Sequence, residues 1–120
     1  MPMFASKLED AVRSVPGASA IVVMGFDGIP LESYGEPPNL EIETVGMEFS
    51  VVMREVRKAA EQLEAGSAEE ISLRTDQLAV LLRIISDEYF VALIVDRAGN
   101  TGKGRYVLRT LAPTLRAELF

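Results

Sequence analysis

Two residue types are missing from this 120-residue chain, and most side-chain chemistry near neutral pH depends on them. There is no cysteine, which excludes disulfides, thiolate metal sites and a thiol nucleophile. There is no histidine, which removes the usual general base and the commonest metal ligand. Ser-His-Asp, Cys-His and zinc chemistries are thus excluded by inventory. Positive charge is also thin: the net charge is −6 and Lys and Arg are scattered along the chain. Nucleic-acid binding normally needs a basic stripe to neutralise phosphates, and the linear sequence shows none. No apolar run approaches the ~20 residues that span a bilayer. The opening MPMFASKLEDAV carries Glu9 and Asp10 in place of a signal peptide's apolar core. These absences lead us to expect a soluble, cytoplasmic protein with no membrane insertion and no nucleic acid.

What is present reads as a single α+β domain, residues 1–120. A hydrophobic content of 48% suits a packed core in a chain of this length. Phe4, Leu8, Ala11, Val12 and Val15 recur at helical spacing, predicting a helix from Met3 to Ser14 that Pro16-Gly17 stops. Ala18 to Met24 is a nearly continuous apolar run suited to an interior strand. Gly25-Phe26-Asp27-Gly28 predicts a hairpin turn, and Ile29 to Tyr34 a second strand. Pro30 lacks a donor, so that strand belongs at a sheet edge. Asn39 is a good N-cap for a long helix from Leu40 to Leu63, with Gly66 placed to end it. Glu69 to Thr75, Leu78 to Ile85 and Tyr89 to Val95 then read as three strands joined by short turns, hence antiparallel. A last helix begins after Asn100 or Thr101 and buries Leu108, Leu111, Leu115 and Leu119; Pro113 should bend it.

The long helix carries two apolar stripes. Ile42, Val45, Phe49, Val52, Val56, Ala59 and Leu63 repeat with 3-4 spacing and predict a core-facing seam. Leu40, Met47 and Val51 fall on the far side of the wheel, continued by Arg54 and Lys58, with Glu43 beside them. A helix packed on one sheet has no need for that second stripe, so it predicts a contact face for a partner. The strand from Glu70 through Ile71, Ser72, Leu73 and Arg74 to Thr75 is the other interaction candidate. At a sheet edge its unpaired backbone groups would pair with a second copy across a two-fold axis, setting Glu70 of one copy near Arg74 of the other.

Three motifs invite chemical readings and decline them. GNTGKG, Gly99 to Gly104, joins a strand to a helix N-terminus but lacks the G-x4-G-K-[ST] pattern, with Gly104 where Ser or Thr should coordinate magnesium. It predicts a glycine-rich helix start and no bound nucleotide. Glu69-Glu70 and Asp87-Glu88 read as solvated turn charges, so no metal and no cofactor are expected. Arg54, Arg57 and Lys58 invite comparison with an arginine finger; a solvated helix surface paired with Glu55 and Glu61 accounts for them more simply.

The order α-β-β-α-β-β-β-α, Pro16-Gly17-Ala18 opening an apolar strand that ends in Asp27-Gly28, and the strand-strand-helix close together resemble the roadblock/dynein light-chain family. That resemblance covers nearly the whole chain. It implies a five-stranded antiparallel sheet of profilin-like architecture, the long helix on one face and the terminal helices on the other. It also implies homodimers formed through the third strand and the long helix. Bacterial members of the family resemble partners of a Ras-like small GTPase in gliding motility and cell polarity. Some activate it by docking their long helices and repositioning the GTPase's own groups, without an active site or an arginine of their own. The resemblance therefore implies a non-enzymatic GTPase regulator or, alternatively, a structural adaptor that leaves turnover unchanged.

Overall fold

A computed structural model describes residues 4–119. The elements follow the expected order: α1 (Ala5–Ser14), β1 (Ala18–Gly25), β2 (Pro30–Gly35), α2 (Ile42–Gln62), β3 (Glu70–Arg74), β4 (Leu78–Ile84), β5 (Tyr89–Asp96) and α3 (Thr101–Leu119). The predicted start of the first helix, Met3, lies outside the described residues. The five strands form one antiparallel sheet in the order β2-β1-β5-β4-β3. β1 and β5, the most apolar runs, take the interior. The strand that begins with Pro30 takes an edge, where its missing donor costs no ladder bond.

Side chains alternate across each strand, so the sheet has two apolar faces. Ile21, Val23, Leu81, Val91, Leu93 and Val95 pack with Leu8 and Val12 of α1 and Leu108 and Leu115 of α3. Val22, Met24, Val80, Leu82, Phe90 and Ile94 pack on the other face with Ile42, Val45 and Met53 of α2. The long helix thus covers one face and the two terminal helices the other, giving a three-layer α+β fold.

Two close approaches explain the glycines of the PGA and GNTGKG motifs. A Cβ on Gly17 would stand 2.5 Å from Gly99 Cα, and one on Gly104 2.6 Å from Leu81 Cδ1. The first contact docks the chain between α1 and β1 onto the loop before α3, where Asn100 N–H donates to Pro16 O at 2.9 Å. The second lets α3 approach the sheet. Asn100 Oδ1 accepts the Lys103 N–H at 2.9 Å and caps the helix. The glycine-rich stretch is therefore a packed helix start, as predicted.

α2 departs from the sequence reading in three respects. It starts at Ile42, because Asn39 turns left-handed (φ 63) and Leu40 N–H donates back to Pro37 O. Glu41 is the N-cap residue without a side-chain capping bond, and Glu36 Oε2 instead accepts the Ile42 N–H at 3.4 Å. The helix also ends before Gly66. Glu64 (φ 53) takes the left-handed position, Ala65 N–H reaches Ala60 O at 3.0 Å and Glu64 N–H reaches Glu61 O at 3.1 Å. That is a Schellman closure with a glutamate where glycine is favoured. Finally, the buried face is Ile42, Val45, Gly46, Ser50 and Met53, whereas Val52, Ala59 and Leu63 of the predicted seam are exposed. A 3-4 repeat averages 3.5 residues per turn and drifts about 20° per heptad around a straight helix. The stripe therefore walks off the sheet toward β3. Gly46 and Ser50 fill the vacated positions because they are small: a Cβ at Gly46 would sit 2.4 Å from Met24 Cε. The Ser50 hydroxyl is satisfied by Met47 O at 2.7 Å.

In α3, Leu108 and Leu115 are buried as predicted, joined by Gly104 and Ala112, with Leu111 and Leu119 partly covered. The helix runs through Pro113 to Leu119.

Candidate protein-docking site

The outer face of α2 is exposed as its wheel predicts. Met47 and Val51 keep 53% and 51% of their surface, and Glu43, Arg54 and Lys58 are exposed around them. Leu40 is exposed too, but it stands in the turn before α2 and not on the helix. Arg54 is not a free cation: its Nη1 donates to the Phe26 carbonyl. Arg57 lies over the Phe26 ring, 4.2 Å from Cζ to the centroid, and donates to Asp87 O at 2.9 Å. Both arginines are thus committed to holding α2 against the strand-end turns. Lys58 has no ion-pair partner among the described residues.

Those arginines brace the β1–β2 hairpin, which adds two residues to this surface. Gly28 (φ 87) turns the chain, Asp27 Oδ1 accepts the Ile29 N–H at 3.0 Å, and Phe26 N–H donates to Glu88 O at 3.0 Å. Phe26 packs on Phe90 with ring centroids 5.3 Å apart. From this held tip, Ile29 and Leu31 project, both exposed. Glu32 turns to the α1 side, where Oε1 accepts the Phe4 N–H at 2.9 Å, and Tyr34 packs there too. Leu31 sits at the bulge, unpaired between Glu32 opposite Val23 and Pro30 opposite Met24. Ile29 and Leu31 were read from sequence only as strand residues. The available signal was apolar side chains on a Pro-marked edge strand, which has no second neighbour to bury them.

β3 forms the opposite edge and pairs only with β4. Thr75 N–H donates to Leu78 O at 2.8 Å and Ile84 N–H to Glu69 O at 2.9 Å. Antiparallel alternation then directs the backbone groups of Glu70, Ser72 and Arg74 outward. Leu73, 42% exposed, lies on the α2 side of this edge, the side toward which Val52, Ala59 and Leu63 also turn. Ile71 is partly buried against the core. Glu70 and Arg74 already have partners within the chain: Glu70 binds Arg105 and Arg83, and Arg74 Nη2 donates to Thr101 Oγ1 at 3.2 Å. The Arg105 hydrogen bonds hold the Glu70 carboxyl below its ordinary pKa, against a smaller opposing effect of burial.

Among the described residues no group of three or more Asp or Glu is placed to hold a metal ion, and no helix is long and apolar enough to cross a membrane. Exposed apolar side chains thus flank the packed face of one braced helix on both sides.

Comparison with known proteins agrees with this architecture. Among solved structures the chain is similar to MglC from Myxococcus xanthus, with 39% identity, 96% of this chain and 98% of that chain covered, and a TM-score of 0.69. It is also similar in fold to the gliding protein MglB from Thermus thermophilus (14% identity, 95% and 86% covered, TM-score 0.84). A Roadblock/LC7 domain from Streptomyces avermitilis is similar as well (17% identity, 93% of each chain, TM-score 0.83). A search of functionally curated proteins gave no match. The Roadblock/LC7 domain model matches residues 5–99, and the chain belongs to that family.

Proposed function

We propose that this protein is a homodimeric regulator of a Ras-like small GTPase and raises its rate of hydrolysis by ordering its switch regions. The observation that carries the reading is the outer face of α2. Met47 and Val51 stay half exposed on a helix whose opposite side packs on the sheet through Ile42, Val45, Gly46, Ser50 and Met53. Ile29 and Leu31 extend the apolar surface on a braced hairpin, and Lys58 rims it. An aliphatic patch rimmed by charge on a rigid element suits a protein partner. Dimerisation uses the other side of α2, where Val52, Ala59, Leu63 and Leu73 adjoin the open β3 edge.

The commitment of Arg54 and Arg57 to Phe26 and Asp87 supports a regulator that donates no catalytic arginine. Acceleration then comes from differential affinity for the hydrolysis-competent arrangement of the switches. The test is single-turnover GTP hydrolysis by a candidate Ras-like GTPase, titrated with the protein. Acceleration of about tenfold, or ~1.4 kcal/mol, supports an activator. Nucleotide-dependent binding with unchanged turnover makes the protein an adaptor, and no binding removes the GTPase reading. Met47→Glu should weaken partner binding by about tenfold or more with an unchanged circular dichroism spectrum; retained binding would sink the assignment of this face.

A further inference from the structure

The charge of this chain is unevenly placed. Residues 1–69 carry twelve carboxylates against five Lys and Arg, whereas residues 70–120 carry six against seven. Folding concentrates the second group. Arg83 of β4 and Arg105 and Arg109 of α3 gather around one carboxylate, Glu70 of β3. Arg105 grips it with two hydrogen bonds, Nη2 to Oε2 at 2.8 Å and Nε to Oε1 at 3.4 Å. Arg83 Nη1 stands 3.9 Å from Oε1, and the charge of Arg109 also acts on it. Tyr106, 54% exposed, lies beside this group with Arg109 Cζ 5.7 Å from its ring centroid. Glu70, Gly102, Arg105, Tyr106 and Arg109 line a surface hollow of about 190 Å³. Among the described residues Arg74 and Arg109 have no carboxylate partner.

We propose that this arginine-tyrosine surface docks an acidic segment of a partner protein. Glu70 shows how the site takes a carboxylate, gripped by a guanidinium fork in the planar manner for which arginine is suited and lysine is not. Arg109 remains for an incoming side chain, and Tyr106 supplies a face for the apolar part of the segment. A short peptide fits this scale: the positive surface is small and the rest of the chain is negative, which repels a long polyanion. The surface lies on the sheet face opposite α2 and is independent of the proposed GTPase contact.

The experiment is fluorescence anisotropy of a labelled hexaglutamate peptide titrated with the full chain at low salt. Saturable binding is expected. Arg109→Glu should weaken it about tenfold, and Tyr106→Ala severalfold, whereas Glu70→Gln, which removes the internal competitor, should strengthen it. Lys58→Glu makes the same change in net charge on the opposite face and should alter binding by less than about twofold. Met47→Glu should leave peptide binding intact, which separates this site from the GTPase reading. Absent binding, or equal loss from Lys58→Glu and Arg109→Glu, overturns the proposal. So does tighter binding of oligothymidylate or of phosphatidylserine vesicles, which would assign the surface to a different anion.

Discussion

The two edges of the sheet are treated differently. β2 opens with Pro30, shifts register against β1 between Val23 and Met24, and spends Glu32 on the Phe4 N–H, with α1 packed close by. Proline, a bulge and a covering helix are standard means of closing an edge to further strands. β3 has none of them. It runs in unbroken register with β4 from Glu70 to Arg74, contains neither proline nor glycine, and ends the sheet. An edge left this way beside exposed apolar side chains is open to a further strand, whereas the other is a boundary. The same asymmetry runs through α2: one side is tied to the strand-end turns by Arg54 and Arg57, and the other leaves Val52, Ala59 and Leu63 unpacked.

Ser72→Pro should have the largest effect. Its N–H points out of the sheet, so proline removes no bond to β4 but blocks strand addition and should abolish the proposed dimer. Sedimentation should show a folded monomer; a persisting dimer would place the joint elsewhere. A matched pair comes next. Leu73 and Leu31 are 42% and 43% exposed at opposite edges. Leu73→Asp should weaken self-association by about 2 kcal/mol, while Leu31→Asp leaves it unchanged. Equal effects would erase the distinction between the edges.

Smaller effects lie in the link to β3 and on its surface. Glu64→Gly relieves a left-handed residue in the connection from α2 and should stabilise the fold by about 0.5–1 kcal/mol, read as a raised Tm with unchanged self-association. Glu70 has a depressed pKa, so its contribution is complete above the ordinary carboxylate range and is lost as pH falls through the folded value. The side chain is about a third exposed, so the contribution is under ~1 kcal/mol. Glu70→Gln should lower Tm slightly at pH 7 and flatten its decline in acid; an unchanged acid limb would show that the arginine contacts do not stabilise the fold.

Local chemistry was legible where a single element carried it. The Pro30 edge, the Asn100 cap, the Asp27-Gly28 hairpin and the exposed Met47 and Val51 all follow from residues close in sequence, whose backbone preferences and wheel positions need no distant partner. The element order and the family followed from the same patterns. The buried face of α2 did not, because a 3-4 stripe names the apolar residues and not the small ones that let a helix approach a sheet. Gly46 and Ser50 are buried only because Met24 and Val22 stand beneath that turn. Likewise, arginines that look scattered in sequence become neighbours once β3, β4 and α3 are side by side, since strand pairing sets Arg83 opposite Glu70 and helix packing brings Arg105 to it from 35 residues away. By itself the sequence determined the elements, their order and the outward face of the long helix, all set by short-range sterics and periodicity. Tertiary structure alone decided which arginines were spent within the fold and which were left exposed. Those outcomes depend on contacts between distant segments that no local pattern encodes.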